Sequence, residues 1–229
     1  MKTSKNLKYV AAIAIVLIAA QFAGTSAAEA QSDNEFRWVL RGHFVKTWPG
    51  SDTFRVDSGQ NIEPPAFLEF WTNGGNGFNL EAEYMIRPNI GVYAGATFAN
   101  MKTNLKYARG NDDLYSSDRV DTQQWNLGGN YHFTFSDRMD LYAGLLLSWV
   151  NYSSSTFYFP EIDQEYRAEY DNEMSWGFGG GIDFPFTSSG KWIISGQLRY
   201  LFMALESNAR FVANTIDPLQ GYIGVGYRF

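Results

Sequence analysis

Residues 219–229 read LQGYIGVGYRF, and this stretch decides the fold class. Its odd positions are mostly apolar, as at Ile223, Val225 and Phe229, whereas its even positions are polar or small apart from Tyr222. An alternation with a period of two indicates a β-strand with one apolar face. Because aromatic residues stand at the end of that face, it is typical of the lipid-facing wall of a transmembrane β-barrel.

A secretory signal peptide is predicted at the N-terminus. Lys2, Lys5 and Lys8 form a positive segment, and residues 9–20 are an apolar run without charge. Residues 28–30 read AEA, which matches an Ala-x-Ala cleavage site. The apolar run is shorter than the ~20 residues that a membrane-spanning helix needs. We therefore expect residues 1–30 to be removed and residues 31–229 to form a single barrel domain.

The charge balance and the absence of cysteine exclude several classes of protein. The chain has a formal net charge of −6. Cleavage would leave 15 basic and 23 acidic residues and move the net charge to −8. An acidic protein of this kind lacks the basic surface that a nucleic-acid partner requires. With no cysteine, the fold uses no disulfide, and neither a thiolate catalyst nor a cysteine-bound zinc is available.

The composition agrees with a barrel although its average is unremarkable. The mean hydropathy is −0.28, and no segment after residue 30 is as long and apolar as a membrane helix. Barrel strands alternate between lipid-facing and lumen-facing residues, so a low average is expected of them. Aromatic residues make up 17% of the chain and it holds 22 glycines. Aromatic girdles and a narrow lumen explain both numbers, whereas a secreted β-sandwich would not need so many outward-facing aromatics.

Eight alternating strands are predicted in the mature chain. Each is at least as long as the ~10 residues that a tilted strand needs to cross a bilayer. An even number of antiparallel strands can close on itself and leave no unpaired edge in lipid. The sequence therefore predicts an all-β, eight-stranded, up-and-down transmembrane barrel, with strands at about 36–48, 77–87, 89–106, 121–135, 140–154, 171–186, 191–206 and 219–229.

The connections alternate between short and long. Short turns are predicted at 88–89, 136–139 and 187–190, and longer polar loops at 49–76, 107–120, 155–170 and 207–218. In outer-membrane barrels the short turns face the periplasm and the long loops face the outside. This assignment shows whether each inward-facing residue lies near the periplasmic or the extracellular end of the lumen.

Near the periplasmic end, the inward positions carry both signs of charge. An eight-stranded barrel is too narrow for an open channel, and buried charges need partners. A gated polar pore is one interpretation. A plug of ion pairs is the interpretation that the narrow lumen favours, and its predicted members are Arg37, Arg41, Glu83, Arg87, His132, Asp183 and Arg228.

Near the extracellular end, the predicted inward positions are apolar. This is unexpected, because a barrel interior is usually polar. The residues could form a small core that steadies the loops, or a funnel for an apolar solute, since binding pockets are mostly apolar. A slip of register at Leu201 would instead turn some of them to lipid. The candidate funnel residues are Met101, Leu146, Val150, Tyr152, Leu201, Met203 and Leu205.

The sequence offers little for catalysis. Its two histidines, His43 and His132, both fall on the predicted lumen face, and neither has a recognisable triad partner in the sequence. No metal-ligand spacing is present, and the glycines at 179–181 lie in a strand rather than before a helix. We expect no enzymatic activity, no catalytic residue, no metal and no cofactor.

Several segments together resemble the OmpW family of small outer-membrane barrels, which includes AlkL-type alkane importers. The similarity is distributed over most of the mature chain, in the order that this family has. The segments are 77–80 (GFNL), 88–92 (PNIGV), 130–133 (NYHF), 141–144 (LYAG), 175–184 (SWGFGGGIDF) and 217–229 (DPLQGYIGVGYRF). The ending with Tyr227 and Phe229 also resembles the terminal signature that outer-membrane assembly machinery recognises.

The resemblance implies a hydrophobic extracellular funnel, a blocked periplasmic end and sideways release of small apolar molecules into the membrane. It favours the funnel over the core. One departure concerns the wall, since members often carry Thr-Pro-Phe at the end of strand three, where residues 96–98 here read ATF. A proline would remove a ladder hydrogen bond and help to open the wall.

Two functions follow as hypotheses for an integral protein of the cell outer membrane. The first is passive passage of small hydrophobic molecules through a barrel closed below by lumen salt bridges. The second is a structural or surface-interaction barrel that acts through its extracellular loops, motivated by the aromatic, acidic segment 158–170. The expected partners are outer-membrane lipid and lipopolysaccharide, a small hydrophobic solute and the assembly machinery.

Overall fold

The structure is a computed structural model that describes residues 37–50, 54–57, 66–109, 112–136, 139–160, 163–206 and 213–229. The predicted signal peptide and Phe36 lie outside the described residues. All regular secondary structure in these ranges is β-strand. The strands are β1 (Trp38–Trp48), β2 (Phe54–Asp57), β3 (Ala66–Asn73), β4 (Gly75–Arg87), β5 (Ile90–Arg109), β6 (Asp112–Ser136), β7 (Met139–Tyr152), β8 (Ser155–Phe159), β9 (Gln164–Ala168), β10 (Glu173–Pro185), β11 (Trp192–Phe202), β12 (Ala204–Glu206), β13 (Ala213–Thr215) and β14 (Leu219–Arg228).

Eight of these strands close into an antiparallel barrel, which confirms the predicted fold. Going around the wall, the order is β1, β4, β5, β6, β7, β10, β11 and β14, so sequential wall strands are neighbours. The barrel closes where β14 pairs with β1, from Trp48 opposite Leu219 to Val39 opposite Arg228. Within the part of the chain described, no helix is long and apolar enough to span a membrane.

The alternation along each wall strand is the physical reason for closure. In β1 the odd positions from Val39 to Thr47 are buried in the lumen, while Leu40 and Phe44 on the even positions are about half exposed on the outer surface. β14 shows the same alternation, with Tyr222 inside and Ile223 outside. Residues that stand outside a lipid-embedded barrel face hydrocarbon, so their exposure is favourable there.

Glycines make room for large side chains in the lumen. At Gly181, a Cβ atom would come within 2.5 Å of the Tyr142 ring, and at Gly128 within 2.5 Å of the Tyr93 ring. Both distances are too short for real contacts, so only glycine fits at these positions. A narrow barrel therefore holds bulky polar residues by pairing them with glycine on the neighbouring strand.

The short connections lie where they were predicted, at one end of the barrel. Pro88 and Asn89 join β4 to β5 in a tight turn, and residues 186–191 join β10 to β11 through Gly190, which has a φ of 68°. The backbone N–H of Gly190 donates to the carbonyl of Thr187 at 3.0 Å. Part of the 136–139 turn lies outside the described residues.

The long connections contain strands, which corrects the prediction of loops at 49–76, 107–120, 155–170 and 207–218. β5 and β6 continue pairing to Arg109 opposite Asp112, beyond the predicted strand ends. β3 pairs with this extension from Asn73 opposite Lys102 to Ala66 opposite Arg109 and carries β2 on its other edge. Pairing satisfies backbone groups that a loop would leave to water, and it raises the barrel wall on this side.

Two small hairpins complete the extracellular end. β8 pairs with β9 from Ser155 opposite Ala168 to Phe159 opposite Gln164, and β12 pairs with β13. The pattern of β8 alternates strictly, with Ser155, Phe157 and Phe159 buried and Thr156 and Tyr158 exposed. The β8–β9 hairpin thus has its own apolar face, and that face is turned toward the barrel.

Candidate functional site in the barrel interior

Arg41 is the centre of a buried network of charges near the periplasmic end. Its guanidinium donates to Glu83 Oε2 at 2.6 Å, to Asp183 Oδ2 at 2.8 Å and to Glu81 Oε1 at 3.3 Å. All four side chains have no accessible surface. The guanidinium carbon also lies 5.0 Å from the centre of the Tyr142 ring. One cation therefore joins β1, β4 and β10 across the lumen.

His132 extends this network toward the periplasm. Its two ring nitrogens lie 3.0 Å from Glu83 Oε1 and 3.0 Å from Asp140 Oδ2. Arg228 lies 3.5 Å from the same Asp140 oxygen and 3.9 Å from Asp183 Oδ2. The carboxylates are thus shared between neighbouring bases, as a buried set of charges requires.

Arg199 forms a second centre one layer higher. It is ion-paired with Glu81, and its Nη2 donates to Gln197 Oε1 at 2.6 Å. The guanidinium carbon lies 5.0 Å from the Tyr93 ring centre and 4.7 Å from that of Tyr222. Because Glu81 also contacts Arg41, the two arginines belong to one connected network.

Five of the seven predicted plug residues lie in this network, namely Arg41, Glu83, His132, Asp183 and Arg228. The inclusion of Arg37 and Arg87 in the plug stays a prediction. Arg37 precedes β1 and its side chain is exposed, and Arg87 is half-buried at the end of β4, beyond a register shift between Met85 and Arg87.

The sequence-based set also missed Glu81, Asp140 and Arg199. All three have the inward parity of their strands, so the signal was present. Glu81 stands two positions before Glu83, and Arg199 stands two positions before Leu201.

Above the charges, a layer of neutral polar side chains fills the lumen. Asn79 donates to Thr97 at 3.0 Å, and Gln220 donates to Gln124 at 3.2 Å. His43 is hydrogen-bonded through one nitrogen to Asn79 and through the other to Ser195 Oγ, each at 3.1 Å. These side chains are all at most 4% exposed.

The pair of His43 and Ser195 is a contact that the sequence did not reveal, since 152 positions separate the two residues. A serine beside a histidine is one part of a nucleophilic site. Here, however, the orienting group is the amide of Asn79, and Ser195 has no exposed surface. Among the described residues, no group of three or more His, Asp or Glu is arranged to hold a metal ion.

At the extracellular end, the interior is apolar. The candidate funnel residues Met101, Leu146, Val150, Leu201 and Met203 are buried in one cluster, and Tyr152 packs against it. They are at most 4% exposed, apart from Tyr152. The side chain of Leu205 lies outside the description, although its backbone pairs with Asn214 in β12 and β13. Leu201 and Met203 thus face inward, without a slip of register to lipid.

The β8–β9 hairpin and β3 supply aromatic residues to this cluster, and the sequence did not predict their part in it. Phe157 and Phe159 of β8 are 2% and 0% exposed. The Phe157 ring stands edge-on to Phe70 of β3 with centroids 6.1 Å apart, and Phe159 lies 6.4 Å from the Tyr107 ring. The apolar cluster is therefore shared between the barrel wall and chain that folds over its mouth.

A hydrogen bond fixes the base of the hairpin. Ser155 Oγ and the Tyr170 hydroxyl lie 2.5 Å apart, and burial raises the pKa of Tyr170 to about 12. The backbone N–H of Thr156 donates to Asp118 Oδ2 of β6 at 2.6 Å. These two contacts join the hairpin to the following segment and to the wall.

The terminal aromatics lie on the lipid face. Tyr227 and Phe229 have ring centroids 4.9 Å apart, and Phe229 is 54% exposed. The backbone of Phe229 donates to the Trp38 carbonyl and accepts from the Arg37 N–H, both at 2.9 Å. Backbone hydrogen bonding between β1 and β14 thus continues as far as residue 229.

The family is established by sequence. A family model described as "Outer membrane protein beta-barrel domain" matches residues 15–229. The chain belongs to this family. It is therefore an integral protein of the outer membrane. No curated protein sequence matches the chain.

Solved structures of outer-membrane barrels have the same fold. OprG from Pseudomonas aeruginosa is similar with a TM-score of 0.63 and 17% identity, over 85% of this chain and 96% of OprG. The outer membrane protein AlkL, determined by solid-state NMR in lipid bilayers, is similar with a TM-score of 0.54 and 16% identity, over 90% of this chain and 95% of AlkL. At this level of identity, the similarity concerns the fold.

Proposed function

We propose that this barrel lets small hydrophobic molecules pass from the outside into the outer membrane, as an OmpW- and AlkL-like protein. The observation that supports the proposal is the division of the interior into two halves. The extracellular half is lined by Met101, Leu146 and Met203, and the periplasmic half is filled by the Arg41 network. An apolar solute is attracted to the first half and rejected by the second.

The charged half acts as a floor in this proposal. A solute that moved straight down would have to separate Arg41 from three carboxylates. Breaking a buried ion pair by removing one partner costs about 3–5 kcal/mol. An apolar molecule supplies no replacement hydrogen bonds, so the passage downward is closed to it while the network is intact.

A sideways exit is therefore part of the proposal, and the wall supports one position for it. The ladder between β10 and β11 begins, in the described residues, at Trp176 opposite Phe202. Beyond Phe202, the backbone of Met203 bonds to the segment before β14 and not to β10: its carbonyl accepts from the N–H of Ile216 at 3.0 Å. Residues 173–175 of β10 pair with β7, and Ser175 Oγ donates across to the Phe202 carbonyl at 2.8 Å. An exit beside the apolar cluster would therefore open by breaking this side-chain hydrogen bond and no backbone ladder bond.

The wall position that the family's proline would weaken is closed here. Ala96, Thr97 and Phe98 of β5 pair continuously with β4 on one side and with β6 on the other. The missing proline agrees with this continuous ladder, since every residue in it can donate a backbone hydrogen bond. An exit between β10 and β11 does not need that proline.

The test is uptake of radiolabelled n-octane by cells that carry the wild-type gene, no gene, or a variant. Leu201→Glu with Met203→Glu should reduce uptake to the level of the deletion strain, because two carboxylates would occupy the apolar half. The matched control exchanges the same two residues, Leu201→Met with Met203→Leu, and should retain most uptake. Both variants are checked for folding by their heat-dependent migration on gels. Equal uptake in all strains would refute the proposal.

The surface-interaction alternative has its own supporting observation. Tyr115 on the β6 extension and Tyr158 on the hairpin are 60% and 50% exposed, at the extracellular end and away from the apolar cluster. Tyrosine is enriched at the centres of protein interfaces. If Tyr115→Ser with Tyr158→Ser abolishes binding of cells to a surface partner while octane uptake is unchanged, this alternative is favoured.

A further inference from the structure

We infer that the position now filled by the rings of Phe157 and Phe159 is a binding site for small single-ring aromatic molecules, which enter by displacing the β8–β9 hairpin. This inference rests on the proposed function and names its class of solute. Two phenylalanines of this surface hairpin are buried at 2% and 0% exposure inside the barrel mouth. In this inference, the two phenylalanine rings of the hairpin fill the position that the ring of a bound solute would take.

The contacts of the two rings define the chemistry of the site. Phe157 stands at 86° to Phe70, and Phe159 is tilted by 60° to Tyr107. Edge-to-face contacts stabilise an aromatic ring beyond its buried area, and a saturated ring of equal size cannot make them. Phe70 on β3 and Tyr107 on β5 belong to the barrel side of the cluster and remain when the hairpin leaves, whereas Tyr166 of β9, which is edge-on to Phe159 at 5.7 Å, leaves with it.

The attachment of the hairpin is weak enough for displacement. Apart from the packing of its apolar face, β8 is linked to the wall by the hydrogen bond from the Thr156 N–H to Asp118 and to the next segment by the bond between Ser155 and Tyr170. A two-stranded hairpin is marginally stable by itself, so its position depends on those rings. Local opening of such a surface hairpin costs less free energy than global unfolding of the barrel.

A second observation points to a ligand rather than a permanent core. The hydroxyl of Tyr152 is buried against the cluster and makes no hydrogen bond within the described residues. Buried polar groups in proteins are normally paired. A ring that carries a hydroxyl or carbonyl group would supply the missing partner.

The first measurement follows the hairpin directly. The chain lacks cysteine, so a nitroxide at Tyr158→Cys reports on the exposed side of β8, and one at Ser188→Cys in a periplasmic turn serves as the control. Toluene added to the full-length barrel in lipid bilayers should increase the mobility of the first label only. Methylcyclohexane should need a bilayer mole fraction about threefold to tenfold higher than that of toluene to give the same label mobility. Equal responses at both labels, or no preference for toluene, would overturn the inference.

The second measurement ties the hairpin down. A disulfide between Asp118→Cys and Thr156→Cys joins β6 to β8, at the place where the Asp118 carboxylate now accepts from the Thr156 N–H. The control disulfide, Thr156→Cys with Arg167→Cys, joins opposite residues inside the hairpin and leaves it free to move as a unit. The tether should reduce toluene uptake at least tenfold, with recovery after reduction, and the control should resemble wild type. Unchanged uptake through the oxidised tether would refute displacement of the hairpin.

The third measurement concerns Tyr152. In the wild-type protein, p-cresol should displace the nitroxide-labelled hairpin at a lower bilayer mole fraction than toluene. Tyr152→Phe should remove that advantage, so that p-cresol and toluene displace the hairpin at similar bilayer mole fractions. An advantage that survives in Tyr152→Phe would contradict the assignment of this hydroxyl.

The outcomes separate this inference from the proposed function. Wild-type cells could take up octane while toluene leaves the hairpin label unchanged and toluene uptake is independent of the tether. In that case the inference fails and the proposed function stands. If the label responds as expected but no strain takes up octane, the binding site stands and the passage function fails.

Discussion

Arg41 Nη1 lies 2.6 Å from Glu83 Oε2, and neither side chain has any accessible surface. The two residues come from neighbouring strands, and the same guanidinium reaches Asp183 on β10. The guanidinium of Arg41 therefore connects β1 to β10, which are not adjacent in the wall. Replacing Arg41 should show how much of the stability of the barrel depends on this connection.

Arg41→Met should lower the free energy of unfolding by about 3–5 kcal/mol, because three buried carboxylates lose their shared cation. Chemical denaturation of the barrel in lipid vesicles measures the change. Lys46→Met is the control on the same strand, since the amino group of Lys46 donates to Asn76 Oδ1 at 3.2 Å on the exposed side of the wall. It should change stability by less than about 0.5 kcal/mol. Equal effects would mean that the network contributes nothing specific.

Arg199→Lys should weaken the upper part of the network although the charge is kept. A guanidinium can lie between the Tyr93 and Tyr222 rings and bind Glu81 and Gln197 at once, and an ammonium cannot reproduce that flat geometry. We expect a loss of about 1–3 kcal/mol, typical of a lost charge-assisted hydrogen bond. Denaturation at two salt concentrations checks the cause, because a buried defect should not respond to screening.

Gly91→Ala should disturb the carboxylate that Arg41 and His132 share. A Cβ atom at this position would meet the side chain of Glu83. Moving Glu83 should cost about 1–3 kcal/mol, the usual penalty of overpacking. Gly129→Ala is the control on the neighbouring strand, because its Cβ would contact only the Gly91 carbonyl at an ordinary 3.6 Å. The difference between the two unfolding free energies is the measurement, and a difference near zero would contradict the geometry.

The parity of each strand could be predicted from sequence, because lipid and lumen impose a period of two on every wall residue. That rule placed Arg41, Glu83 and Leu201 correctly inside. It could not tell how high the wall rises, because the extension of β5 and β6 depends on pairing with β3, a segment from a different loop. It also could not find Phe157 and Phe159, whose burial depends on a hairpin folding back over the barrel mouth.

The hairpin can be tested apart from any solute. Phe157→Ala with Phe159→Ala should release β8 and β9, and trypsin should then cut after Arg167, whose side chain is 63% exposed but lies in a paired strand. We expect cleavage to be at least tenfold faster, equivalent to about 1.4 kcal/mol of local opening. Tyr158→Ala on the exposed face of the same strand should leave cleavage unchanged. Global unfolding in vesicles is measured alongside, because the two rings belong to a cluster that the hairpin shares with the barrel wall. Rapid cleavage in the control would show that the two buried rings do not hold the hairpin.

Phe229→Ala should separate assembly from stability. The backbone bonds of residue 229 to Trp38 and Arg37 do not depend on the ring, which is 54% exposed on the lipid face. Phe44→Ala is a matched control, because that ring is 55% exposed on the same outer surface. Both variants remove one ring from lipid, so their unfolding free energies in vesicles should agree within about 1 kcal/mol. If the assembly machinery reads the terminal aromatic residue, only Phe229→Ala should lower the amount of folded protein in the outer membrane of cells, by severalfold. Equal amounts of the two variants in cells would show that Phe229 is an ordinary lipid-facing residue.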